Sequence, residues 1–211
     1  MGVIKQGILG GFSGKVANVV GSSWKGIAVL KSLPLSVANP KTAGQVAQRG
    51  AMTTIVAASR LLLAALLQPY WNPFAQRMSG YNAFVKENIA TFRTAGFTDF
   101  SDFFSTRGSL LGVVVSSAVA DDSDNTLTVS WTDNSGTADA LATDEAVIVY
   151  YNVDQDYWVV DAGNAIRSAA TIVIADTLLT TADLIKCYTS MSRPDISKVS
   201  DSVFNAITVS A

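Results

Sequence analysis

At 211 residues the chain has room for one large domain or two small ones, and it can bury a core without staples. It contains no histidine and a single cysteine, which removes the commonest metal ligand, the Ser-His-Asp and Cys-His nucleophile systems, the usual general base near neutral pH and any intrachain disulfide. Charged residues make up 15% against roughly 25% in an average soluble domain, while apolar residues reach 49% and mean hydropathy is +0.30, so part of the apolar surface is expected to be covered by partner subunits.

The net charge of −2 hides a division. Residues 1–110 hold eleven Lys and Arg against Glu87, Asp99 and Asp102, a balance of +8, and residues 111–211 hold Arg167, Lys186, Arg193 and Lys198 against fourteen acids, a balance of −10.

The first segment, residues 1–36, contains ILGGFSGKVANVVGSSWKGIAVLKSLP (8–34), rich in glycine and carrying a GK dipeptide. A phosphate-binding P-loop needs a glycine five residues before the one preceding Lys15, and a Ser or Thr after that lysine. Leu9 and Val16 occupy those positions. The segment reads instead as short extended pieces, VIKQ, KVANVV and WKGIAVLKSL, in which glycine marks close approach of another backbone. Two readings stand: strands that pair with a neighbouring subunit, and an ordinary glycine-rich hairpin packed on its own domain. No secretory signal is expected, because glycines, Lys5, Ser13 and Lys15 interrupt any apolar run, and export would need another route.

Residues 37–110 read as helical. From Asn39, with Pro40 at a first helical position, Val46, Ile55, Val56, Leu62, Leu63, Leu66 and Leu67 recur near the 3.6 period until Gln68–Trp71. The run IVAASRLLLAALL (55–67) spans 13 residues and carries Arg60, whereas a membrane span needs about 20. It is read as a buried helix, with no membrane span. A second helix is expected to start at Asn72 and Pro73, or to restart at Ser79, and to place Tyr81, Phe84, Val85, Ile89 and Phe92 on one core face until Gly96.

Residues 111–211 read as β. GVVVSSAV, TLTVSW, EAVIVYYN, DYWVV, ATIVIA, LIKCYTS and SVFNAITV are seven candidate strands, broken at DDSDN, DNSG, DAGN and Pro194. That number and spacing predict an immunoglobulin-like sandwich without a disulfide, with Trp131 and Tyr150 in its core and Cys187 as a small core residue on a strand. The whole is α+β: a glycine-rich N-terminal β segment, a helical middle and a C-terminal antiparallel sandwich.

Chemistry finds little support. Asp121, Asp122 and Asp124, and Asp154 with Asp156, lack the glycine and late glutamate of a calcium loop and read as solvated turns. Paired carboxylates for glycoside hydrolysis need fixed positions in a cleft, and most acids here lie in predicted turns. The basic residues of the first half are spread out and carry no RNP, zinc or helix-turn-helix motif, so no nucleic-acid partner is expected. No catalytic residue, metal or cofactor is assigned.

GILGGFSGKV, VVGSSWKGI and KSLP within 7–34, NPKTAGQVAQR at 39–49 and SWTDNSGTADALATDEAVIVYYN at 130–152 resemble a family of uncharacterised bacterial proteins, a domain of unknown function, over nearly the whole chain. Family members usually carry Gly after GKV, where this chain has Ala17, a change expected to relax the backbone demand there. The resemblance implies no catalytic residues and a secreted or virion-type structural protein.

The function expected is therefore a non-enzymatic subunit that assembles head to tail with copies of itself into an extracellular filament, or a structural protein of a phage virion. Its interface is expected at Ile4, Ile8, Val16, Val19 and Val20, which plug apolar sites of a neighbour by strand addition, with Trp24 as anchor. The alternative is a monomeric module whose sandwich loops bind a carbohydrate or a cell surface.

Overall fold

Turn chemistry decides the layout of the N-terminal stretch. The computed structural model describes residues 3–4, 11–93 and 100–211. In it β1 (Val3–Ile4), β2 (Phe12–Val16), β3 (Val19–Trp24) and β4 (Ile27–Ser32) form an antiparallel sheet in that order. KVANVV, read above as one extended piece, is two strand ends joined by Ala17-Asn18. Ala17 has φ +48°, a left-handed conformation that costs an L-residue roughly 1–2 kcal/mol. The backbone demand for glycine thus persists at Ala17 rather than being relaxed. WKGIAVLKSL likewise bends, at Lys25 (φ +49°) and Gly26 (φ +83°), where two successive positive φ angles mark a type I′ hairpin. These strands belong to a first compact unit, Met1–Thr42, and the rest of the chain, Ala43–Ala211, forms a second.

All seven predicted strands of the second unit are present: β5 (Val115–Asp121), β6 (Thr126–Trp131), β7 (Glu145–Asn152), β8 (Tyr157–Ile166), β9 (Thr171–Ala175), β10 (Leu184–Ser192) and β11 (Val203–Thr208). They form a β-sandwich of a three-stranded sheet, β5-β6-β9, and a four-stranded sheet, β11-β10-β7-β8. The fourth strand stays with the third, whereas in a constant-type immunoglobulin domain it joins the sheet of the first, second and fifth. DAGN does not break β8 as expected. Gly163, at φ +80°, sits in a bulge where Val147 pairs with Ala162 but Glu145 with Ile166, and the strand resumes beyond it.

Between the sheets lies one core. Leu127, Val129 and Trp131 point inward from β6, and Ala146, Ile148 and Tyr150 from β7, with Cys187 on β10. The other face of β7 and β10 is not open to solvent. Val147, Val149 and Tyr188 bury against Ile55, Leu62, Leu66, Phe84, Phe92 and Phe103, so helices form a third layer over the four-stranded sheet. The helical residues from Ala43 onward and residues 111–211 thus share a core, and residues 37–42 fall in the first unit.

That helical layer begins with α1 (Ala43–Leu61), buried at Ala51, Ile55, Ala58 and Ser59. After Leu62 the chain makes a π-helical turn, Leu63–Leu67, in which Leu67 N donates to Leu62 O, and continues as α2 (Gln68–Tyr70). The segment from Leu63 bends 73° from α1 at this break, the usual place for a sharp kink. The bend leaves Leu61 and Leu63 exposed while Leu62, Leu66 and Leu67 bury. Among the described residues no single helix is long and apolar enough to cross a membrane.

Asn72–Phe74 is a 3-10 turn, and α3 (Gly80–Asn88) restarts at Ser79, whose hydroxyl accepts from Asn82 N. Gly80 packs against that turn so closely that a Cβ would lie 2.5 Å from Asn72 N. Tyr81, Phe84, Val85, Ile89 and Phe92 all face the core, and the expected stop at Gly96 falls outside the described residues. The buried Asn88 amide donates to Phe104 O and its carbonyl accepts from Phe104 N, which fastens α3 to the following loop. Trp71 Nε1–H to Ser105 O ties that loop to the end of α2, Thr106 Oγ1–H to Ser200 O ties it to the segment before β11, and Tyr188 Oη–H to Phe100 O ties it to β10.

Candidate functional site

The described residues of the N-terminal sheet have almost no interior. Gly21 is the single buried residue among the described residues of the first unit. Its Cβ, if present, would lie 2.1 Å from Phe12 O and 2.7 Å from the Phe12 ring, and one on Gly11 would lie 2.5 Å from Ala28 Cβ. Those glycines are therefore slim to admit neighbouring residues of the same sheet, and Lys15 sits mid-strand rather than at a helix N-terminus.

Cross-strand partners share a face, so the register sorts the apolar side chains. Val16 pairs with Val19 and Gly21 with Leu30, placing Val16, Val19 and Leu30 on one face, exposed by 51%, 38% and 63%. Trp24 pairs with Ile27, Ser22 with Val29 and Val20 with both Lys15 and Lys31 on the other face, where Trp24 and Ile27 are 64% and 61% exposed. Of the expected interface residues, Val16 and Val19 thus lie together, and half-buried Val20 lies with Trp24 on the opposite side. Ile4 is in β1 with its backbone opposite Phe12, and Ile8 lies outside the described residues.

All four strands are paired within the chain, so this segment presents a formed sheet rather than a loose donor strand, and β1 and β4 are its edges. Ile27 and Leu30 on β4 were missed from sequence, although the alternation of IAVLKS holds them in the pattern of a strand. Residues 1–42 carry five lysines and no acid. At the hairpin tip Lys25 Nζ lies 5.1 Å from the Trp24 ring centroid.

The second unit has two recesses of note. One, of about 310 Å³, lies between α1 and the β7–β8 hairpin and is lined by Ala57, Leu61, Phe92, Tyr151, Asp156 and Trp158 among others. Tyr151 and Trp158 stack there with centroids 4.6 Å apart and planes 26° apart, and Tyr151 Oη–H donates to Asp156. The other, about 240 Å³, lies beside Tyr70, Trp71, Phe74 and Met78 and is rimmed by Lys86 and by the Glu87–Arg107 ion pair.

The titratable groups of the sandwich serve its structure. Tyr150 and Tyr157 both donate to Asp176 Oδ2 at 2.6 Å, and burial, then those hydrogen bonds, push both phenols above their ordinary value. Burial pushes the Cys187 thiol up to about 12. The acids read as solvated turns also hold loops: Asp122 accepts from Thr181 N and Oγ1, and Asp154 from Leu184 N. At the opposite end lies a network that sequence did not signal. Arg167 is fully buried and donates through Nε and Nη2 to Asp144 Oδ2, and further to Asn134 Oδ1 and Leu111 O. Among the described residues no three His, Cys, Asp or Glu side chains gather as a metal site requires.

A family model described as "Family of unknown function (DUF6266)" matches residues 11–206, and the chain belongs to that family. No curated protein matches it in sequence. Among solved structures, the chicken CNTN1 FN1-FN3 domains align with a TM-score of 0.38 and 13% identity over 50% of this chain and 36% of that one. An Fn3-like protein from Clostridium thermocellum aligns at 0.33 and 17% over 48% and 94%. A family 76 glycoside hydrolase from a bovine Bacteroides thetaiotaomicron strain aligns at 0.34 and 10% over 47% of this chain, which spans only 21% of the hydrolase.

Proposed function

We propose that this DUF6266 member is a non-enzymatic structural subunit that associates with copies of itself through its N-terminal sheet. The observation that carries the reading is a sheet whose described residues bury only Gly21 and that exposes Val16, Val19 and Leu30 on one face and Trp24 and Ile27 on the other. A two-faced sheet of this kind is marginal in water by itself, and contiguous exposed apolar groups mark interaction surfaces.

Charge favours a second copy as the partner. The sheet's unit is purely basic, and residues 111–211 carry a balance of −10, so like units repel while unlike units attract. A contact between two different surfaces does not close on itself unless its rotation makes a ring, and repetition gives an open, head-to-tail filament. Such a polymer would serve as an appendage outside the cell or as part of a virion.

Sedimentation of the purified chain across a concentration series tests the reading, with electron microscopy of the largest species. Species larger than the monomer are expected, and Leu30→Lys should shift them toward monomer. A chain that stays monomeric throughout the series at low salt refutes it.

A further inference from the structure

The sheet's hairpin tip and the aromatic recess of the second unit have matching chemistry. The tip, Trp24-Lys25-Gly26-Ile27, is held by a type I′ turn and offers a large exposed indole and a neighbouring ammonium. The recess offers the Tyr151 and Trp158 rings, the aliphatic Ala57 and Leu61, and one charge among its lining residues, the carboxylate of Asp156. At about 310 Å³ it is at the lower end of ligand pockets, which run from about 300 to 1,000 Å³, and admits an indole rather than a larger group. The second recess suits this tip less, because its one carboxylate, Glu87, is already paired with Arg107 and Lys86 lies beside them.

We infer that the tip of one copy docks in the α1/β7–β8 recess of a second copy, with Trp24 among Tyr151, Trp158 and Leu61 and Lys25 against Asp156. This rests on the proposed self-association and supplies its acceptor site. Trp is the residue most enriched at interface hot spots, and a buried aromatic anchor beside a charge pair fixes both affinity and register. The acceptor lies on the opposite unit from the donor, so each copy gives one tip and receives another.

Cross-linking with the full chain tests the docking. One preparation carries Lys25→Cys and a size-tagged one carries Asp156→Cys; the native Cys187 is buried and its thiol pushed up to about 12, so it stays out of the reaction. Mixing and mild oxidation should give a heterodimer of the two sizes, and Trp24→Ala in the first preparation should weaken association about thirtyfold or more. Asp156→Lys should weaken association, and combining it with Lys25→Glu in the same chain should restore it. Assemblies that form normally but yield no heterodimer overturn the docking and leave self-association standing, whereas a chain that never assembles removes both. A Lys25→Cys/Asp156→Cys chain that cross-links only within itself assigns the recess to its own tip, and saturable quenching of Trp158 by cellohexaose assigns it to a glycan; either result overturns the inference.

Discussion

Replacing Asp144 by asparagine keeps the side chain's shape and removes its charge from the most enclosed ion pair among the described residues. Arg167 and Asp144 are both fully buried, and Arg167 approaches Asp144 Oδ2 through Nη2 at 3.0 Å and Nε at 3.2 Å. Arg193 Nε lies 3.3 Å from Oδ1, within ion-pair range though without hydrogen-bond geometry. Asn134 and Leu111 still accept from Arg167 after the change, so the guanidinium keeps partners but loses its countercharge. Breaking one side of a buried pair costs about 3–5 kcal/mol, because the remaining charge stays desolvated. Against a total of about 5–15 kcal/mol, that is a large fraction. For a unit of this size it lowers Tm by about 6–20 °C. Urea unfolding followed by tryptophan fluorescence and far-UV circular dichroism measures it, and the midpoint should fall with little change in slope. The double variant Asp144→Leu/Arg167→Met should lose less than Asp144→Asn alone, since no charge is then stranded. A loss below about 1 kcal/mol in Asp144→Asn, comparable with an exposed pair such as Lys198–Asp139, would refute the reasoning.

Other expectations follow from the same geometry. Cys187 should resist iodoacetamide at pH 8 in the native chain and react once urea unfolds it, because burial holds its thiol up at about 12. Ala17→Gly should relieve the left-handed backbone at φ +48° and stabilise the β2–β3 hairpin by about 1 kcal/mol, read as roughly fivefold greater protection of the Val16 and Val19 amides in hydrogen exchange. Stability should hold from pH 7 to about 5 and decline as pH falls below the ordinary carboxyl value of 3.8. The hydrogen bond from Lys198, then the Leu111 N–H, holds Asp139 below that value, while at Asp183 burial acts upward and is outweighed by Asn152, Gln155 and Thr180. A depressed folded value means stabilisation present above the unfolded value and lost on acidification, so Asp139→Asn and Asp183→Asn should each flatten the acid limb of urea midpoints.

Alternation made the strands readable. TLTVSW buries every second residue, and TIVIA does the same, because one face meets the other sheet and one meets water. EAVIVYYN and the nine residues of β10 bury nearly without alternation, which is what a strand covered on both sides shows. That difference is present in the letters and points to a third layer, which the expectation of a sandwich separate from the helical region does not include. The bend at Leu62 was hidden, since a π-turn preserves an apolar period over several residues while rotating the next turn away. Arg167 gave no local warning: its partner is Asp144, 23 residues away, and only the folded sandwich brings them together. At the candidate interface Trp24, Val16 and Val19 were legible as apolar groups in a glycine-rich stretch. Their division between two faces was not, because it depends on the turns at Ala17 and Lys25, and a positive φ at either residue type has no strong mark in sequence.

The helical layer precedes in the chain the sheet it covers, and that order matters during synthesis. Phe84 and Phe92 pack edge-on against Phe103, whose ring meets Tyr188, and Tyr188 emerges from the ribosome roughly a hundred residues after Phe92, a wait of about 5–20 s at about 5–20 residues per second. Until β10 is complete, α1 and α3 have an apolar side with no floor beneath it, even though isolated helices of this length are marginal in water. The hazard to this protein is therefore greatest before it is finished. A nascent chain stalled between β7 and β10 holds half of a three-layer core, and its fate is set by how quickly the last strands arrive rather than by how stable they are once in place.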